Sequence, residues 1–273
     1  MSKVLNFVKQ LYDKLEEVDV FGLAAQLAYF FLLSLFPFLL FLLTLVGYLP
    51  FDDIAILDMI RTYAPAQIVD LISTNVSTLL EQQNGGLLSF GFIATLWAAS
   101  NGVNAIMRGF NIAYGVEENR SFIVSRLIAI VLTVAMVLVI AIAFLLPIFG
   151  RMIGIYLFSF VGQSAGFLLV WQGLRWVLSS IVIFIVLVAL YKLAPNLRVY
   201  FKNTVWGALF ATILWQLASL GFSYYVSTAG NYSATYGSLG TVIVLMIWFY
   251  LSGIIIMAGG IMNAVIRKNK LES

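Results

Sequence analysis

The chain has no cysteine and no histidine. The first absence excludes disulfides, thiolate nucleophiles and Cys-ligated metals; the second excludes imidazole ligands and imidazole general bases. Charge is also scarce. Asp, Glu, Lys and Arg make up 10% of the 273 residues, where a soluble domain carries about 25%. A soluble protein needs a polar surface and a bilayer removes that need. No Walker A lysine motif occurs, so ATP hydrolysis by that route is excluded. No Lys/Arg patch interleaved with aromatics suggests a nucleic-acid groove, and the net charge of +3 is modest.

What is present is hydrophobic: 62% of residues, in long runs. The pattern predicts an all-α, polytopic transmembrane bundle of six spans with a short helical cap on its outer face. Residues 1–20 read as an amphipathic helix, with Leu5, Val8, Tyr12, Leu15 and Val18 at helical spacing, lying on the cytoplasmic membrane surface or packed on the protein's own loops. Residues 21–266 form the membrane domain, and 267–273 a cytoplasmic tail. The expected spans are 22–49, 87–107, 127–149, 171–193, 204–226 and 237–266. Residues 50–86 form the cap, and the glycine-punctuated segment 150–170 reads as interfacial or re-entrant. No cleavable signal peptide is expected, because the first apolar run is too long for one.

Twelve of the fifteen Lys and Arg residues fall on one side of this layout: three in the N-terminal segment, three after span two, three after span four and three in the tail. Only Arg61, Arg151 and Arg175 fall on the other. The positive-inside rule then places both termini in the cytoplasm, and the alternation requires an even number of spans.

Within the spans, Pro37 predicts a kink in the first helix, with a cavity-lining break or simple packing as its use. Trp97, Asn101, Asn104, Arg108 and Asn111 fall on one helical face through spacings of 4, 3, 4 and 3. Amides in a membrane helix need partners in the protein or in a wet cavity, and an arginine recognises phosphate or carboxylate through its planar fork. Asn101, Asn104, Arg108 and Asn111 are therefore candidate substrate-binding residues, with helix-to-helix glue and snorkelling as the plainer reading. Arg175, between Trp171 and Trp176, is a candidate lipid-phosphate contact at the opposite side. The uncharged loop 223–241, with Tyr232 and Tyr236, is a candidate polar entrance or a turn within an aromatic belt. Gly253, Gly259 and Gly260 suggest close helix approach. The spans carry no Asp or Glu, which argues against a proton relay or a cation-coupled carboxylate. No metal site and no cofactor are expected, nor a catalytic residue set.

Four stretches carry a family resemblance: AAQLAYFFLLSLFPFLL (24–40), GFNIAYGVEENRSF (109–122), YKLAPN (191–196) and NYSATYGSLGTVIVLMIWFYLSGIIIMAGGIMNAV (231–265). In this order, across nearly the whole chain, they resemble the YihY/virulence factor BrkB family of bacterial inner-membrane proteins. Lys192 stands where that family usually has an arginine. The resemblance implies a six-span fold in the bacterial cytoplasmic membrane and a link to movement of envelope lipids. It supplies no catalytic residues. The family's former name, ribonuclease BN, finds no support in a chain without histidine, a carboxylate cluster or a basic groove. The combined expectation is a non-enzymatic transporter or flippase-like protein for an anionic lipid or other amphiphile. Its partners would be membrane lipids and not nucleic acid. The alternative is an envelope scaffold that anchors a protein partner through the cap.

Overall fold

The computed structural model describes residues 2–46, 48, 84–137, 165–228 and 238–271. They form helices α1 (Ser2–Glu17), α2 (Val20–Val46), α3 (Gly85–Tyr114), α4 (Phe122–Val137), α5 (Ala165–Leu193), α6 (Phe201–Thr228) and α7 (Ser238–Leu271), with no strand among the described residues. Five stretches within these helices are long and apolar enough to cross a membrane: Val20–Phe41, Gly85–Tyr114, Trp176–Leu193, Phe201–Val226 and Val242–Leu271. At about 1.5 Å of rise per residue, even the shorter ones approach or exceed the bilayer's hydrocarbon core of about 30 Å. The expected third span, 127–149, is described only as far as Val137 in α4. Most of the expected cap, 50–86, lies outside the described residues.

Several helices differ from their expected bounds, and α7 runs to Leu271, into the expected tail. Helix α3 runs beyond Met107 to Tyr114, because its amphipathic pattern continues until Gly115 stops it. Gly115 adopts φ 65°, a left-handed conformation that costs glycine least. Its N–H bonds to Ile112 O and the N–H of Val116 bonds to Asn111 O, closing a Schellman cap. Helix α5 starts at Ala165, so the last residues of the expected re-entrant segment are helical; Gly166 within an apolar run does not break the helix. Residues 150–164 lie outside the described set. Helix α2 is continuous through Pro37 from Val20 to Val46.

Local caps separate the elements. Asp19 sits at φ 53° between α1 and α2, and its Oδ1 accepts from Gly22 N at 3.2 Å. Asn84 Oδ1 accepts from Leu87 N at 3.0 Å and starts α3. Ser121 receives Val124 N on its hydroxyl at 3.4 Å and starts α4.

The helices group into two compact units, one of residues 1–30 and 100–273, the other of 31–99. In the larger unit α6 packs against both α5 and α7, and α1 packs on α7. Its core holds Leu27, Ile106, Phe110, Leu190, Tyr191, Met257 and Ile261. The rings of Phe110 and Tyr191 meet edge to face at 5.5 Å, and Tyr191 Oη donates to Ile256 O at 2.8 Å. Helices α6 and α7 approach at Gly207 and Gly259, where a Cβ on either glycine would overlap the other's carbonyl oxygen. Asn263 locks this crossing: its Oδ1 accepts from Gly207 N at 2.7 Å and its Nδ2 donates to Thr204 O at 3.2 Å. Gln216 Nε2 of α6 donates to Ser180 Oγ of α5 at 2.8 Å, so helices share amide bonds where no water would serve them.

In the smaller unit the rings of Phe41 and Phe92 lie 5.5 Å apart. Buried hydroxyls there are satisfied within their own helices: Ser34 by Phe31 O, Thr44 by Leu40 O and Thr95 by Gly91 O. Large apolar side chains face outward along the long helices, including Ile181 and Ile185 of α5 and Ile213, Leu217 and Leu220 of α6. In a soluble protein such stripes call for a partner; in a membrane they face lipid.

Candidate functional site

The polar face of α3 divides into two arrangements. Asn101, Asn104 and Arg108 line an open cleft of about 450 Å³, together with Gln26 and Phe30 of α2 and Glu118 beyond the α3 cap. Arg108 Nη2 donates to Gln26 Oε1 at 2.5 Å. Asn101 Oδ1 accepts from Arg126 Nη1 at 2.6 Å, which ties α3 to α4. Arg108 is exposed, whereas Asn101 and Asn104 are half-buried.

Asn111, one turn further on, turns away from that cleft's lining. It is buried, and both ends of its amide are occupied. Its Nδ2 donates to Glu118 Oε2 at 2.9 Å, and its Oδ1 accepts from Asn196 N at 2.7 Å. Asn196 Nδ2 donates to Glu117 O at 2.7 Å. Arg120 completes the group: its Nε and Nη2 grip the two oxygens of Glu118 at 2.7 Å each. Its Nη1 and Nη2 also donate to Leu193 O at 3.4 Å and Ala194 O at 2.9 Å, the free carbonyls at the C-terminal end of α5. The hydrogen bonds from Arg120 hold the Glu118 carboxyl below its ordinary range, with a smaller contribution from Asn111 and despite partial burial. Asn111 therefore serves a clamp that joins the 109–122 and 191–196 stretches, not a ligand surface.

The side chain of Arg175 lies outside the described residues, although its backbone belongs to α5. Tyr232 and Tyr236 also lie outside them. Trp97 of the smaller unit is largely exposed. Sequence reasoning missed Gln26 as a site residue; its signal was a lone amide in an otherwise apolar run. It also missed the joint role of Glu118, Arg120 and Asn196, whose sequence separations hide their contact. Among the described residues no three His, Cys, Asp or Glu side chains gather as a metal site.

A helical bundle with lipid-suited outer faces and a polar cleft lined by an arginine and three amides defines a multi-pass integral membrane protein. The chain belongs to the family described as Virulence factor BrkB, which matches residues 11–273. It is 54% identical over 266 residues to the putative ribonuclease-like protein YfkH of Bacillus subtilis, covering 97% of each chain. It is 29% identical over 273 residues to a UPF0761 membrane protein of Vibrio parahaemolyticus, covering 97% of this chain and 83% of that one. A 40% identical match to a UPF0761 membrane protein of Pseudoalteromonas translucida covers 31% of this chain and 28% of that protein. No solved structure matches the chain significantly. The word ribonuclease belongs to the relative's name.

Proposed function

We propose that the protein binds the anionic headgroup of a membrane amphiphile in the α3 cleft and passes it between leaflets, as a transporter or flippase-like protein of the bacterial cytoplasmic membrane. The observation that carries this reading is the electrostatic state of Arg108. Its partner Gln26 is neutral and holds the guanidinium without cancelling its charge. The carboxylate that also lines the cleft, Glu118, is already committed to Arg120. A cationic fork beside the neutral amides Asn101 and Asn104 suits a phosphate or carboxylate. The density of Lys and Arg at this end of the chain's helices supports a cytoplasmic side for the cleft, α1 and the tail. Arg175 would meet the headgroup at the other leaflet.

The test is translocation of headgroup-labelled anionic lipids in vesicles holding the purified protein. Arg108→Ala and Arg175→Ala are expected to lower flux while the protein stays monodisperse and helical. Flux equal to that of empty vesicles across several anionic lipids removes the transport reading and favours a scaffold.

A further inference from the structure

A second cavity, of about 520 Å³, lies between α1 and α7 and is separate from the α3 cleft. Helix α1 contributes Gln10, Asp13, Lys14 and Glu17, and α7 contributes Arg267 and Lys268. The capped end of α3, at Tyr114, forms part of the lining. Three buried polar atoms of its lining residues have no hydrogen-bond partner within the protein: Gln10 Oε1, Tyr114 Oη and Arg267 Nη1. Buried polar atoms nearly always find partners, so three around one cavity mark a place where something else supplies them. The space is many times the roughly 30 Å³ that one water occupies and falls within the roughly 300–1,000 Å³ of small-ligand pockets.

The chemistry of the lining selects the ligand class. Arg267 is held in place, its guanidinium 5.8 Å above the Tyr114 ring centre, so its free N–H is oriented before any ligand arrives. Tyr114 offers a hydroxyl donor, and the Gln10 amide offers either of its ends, since the two are interchangeable by a flip. Lys14 and Lys268 add positive charge. Of the two carboxylates, Glu17 is paired with Lys14 at 2.7 Å, which leaves the lining of three cations and two anions at net +1. The remaining wall is apolar, including Ala264, Val265 and Leu197. We infer that the α1–α7 cavity is a binding site for a phosphate group, held by Arg267 and Tyr114, on a molecule whose apolar part lies along α7. A lipid headgroup and a free phosphate share this chemistry.

The full chain in a neutral, phosphate-free detergent is titrated with inorganic phosphate and, separately, with short-chain phosphatidic acid, and binding is read by calorimetry. Saturable binding by either probe is expected. Inorganic phosphate binding as tightly as the lipid assigns a soluble ligand, and binding by the lipid alone assigns a membrane ligand. Tyr114→Phe keeps the ring under Arg267 and removes only the hydroxyl, and should weaken binding about fivefold. Arg267→Gln should weaken it about tenfold or more. Circular dichroism and gel filtration establish that each variant is folded, and Tyr114→Phe suffices if Arg267→Gln is not. The Arg108→Gln chain, altered in the α3 cleft, distinguishes the two sites. Loss of binding in that variant alone puts the phosphate in the cleft and overturns the inference. So does the absence of saturable binding by both probes, or binding unchanged by Tyr114→Phe and Arg267→Gln.

Discussion

Asn196 donates its backbone N–H to Asn111 Oδ1 at 2.7 Å, across 85 residues of sequence. That bond, with Asn111 Nδ2 on Glu118, makes one buried amide the meeting point of α3, the loop after it and the segment after α5. Asn111→Ala leaves the Asn196 N–H and one Glu118 contact unserved. We expect a loss of about 2–3 kcal/mol, measured as unfolding in detergent, from two hydrogen bonds one of which is charge-assisted. A change within about 0.5 kcal/mol, the range of ordinary surface substitutions, would show that the clamp contributes no stability.

The same clamp has a pH dependence. The Glu118 carboxyl is depressed in the folded protein, mainly by its hydrogen bonds to Arg120. Its contribution is therefore present above the carboxyl's unfolded value and lost as pH falls through the folded one. Stability curves of the native chain and Glu118→Gln should differ at neutral pH and converge in acid. Curves that stay parallel down to pH 3 contradict this coupling.

Gln26 and Arg108 form a side-chain bond that joins α2 to the polar face of α3 within the cleft. Gln26→Glu would cancel the guanidinium charge while keeping an acceptor. It should lower anionic-lipid flux as much as Arg108→Ala does, without loss of thermal stability. Full flux in Gln26→Glu would mean that the free charge of Arg108 has no part in transport.

At the crossing of α6 and α7, Gly207→Ala places a methyl group against Gly259 O and the Asn263 amide. Backbone cannot move aside as a side-chain end can, so we expect destabilisation of about 1–3 kcal/mol. Gly221→Ala on the same helix meets nothing within 4 Å and should be neutral or slightly stabilising. Thermal unfolding of the pair in one detergent gives the comparison. Equal midpoints would rule out a tight crossing.

Helix α1 packs on α7 yet leaves Leu5, Val8 and Tyr12 exposed on another face. Its packing surface is thus a helix, not the loops that were one expectation, and the exposed face suits the membrane interface. A spin label at Val8 should be more accessible to oxygen than to a water-soluble relaxant, and a label at Asn6, on the opposite side of the helix, the reverse. Identical accessibility at both would place the helix in water.

Much of this architecture was legible because hydrophobic runs and helical spacing are local signals. The stripe from Asn101 to Asn111 was read as one face, and it is one. Its division was not legible: Asn104 and Asn111 are the same residue type on the same helix, and only distant partners separate a cleft wall from a clamp. Arg120 counted in the sequence as one more positive charge, whereas in the fold it caps α5. The glycines at 253, 259 and 260 were read as packing, and each lies against another helix or side chain. Gly207, the partner in the tightest approach, carried no local signal, since its need for a missing Cβ comes from Gly259 across the interface.

The link between α3 and α4 is short and almost wholly occupied. Gly115 and Val116 close the α3 cap, the Glu117 carbonyl receives Asn196, Glu118 and Arg120 hold each other, and Ser121 starts α4. Surface loops commonly accept inserted tags and peptides. Here a single added residue would shift Glu118 or Arg120 off its partner, and a lysine at 120 would lack the fork that reaches a carboxylate and two carbonyls together. An engineer placing an epitope or a fluorophore in this protein should treat those few residues as if they were core.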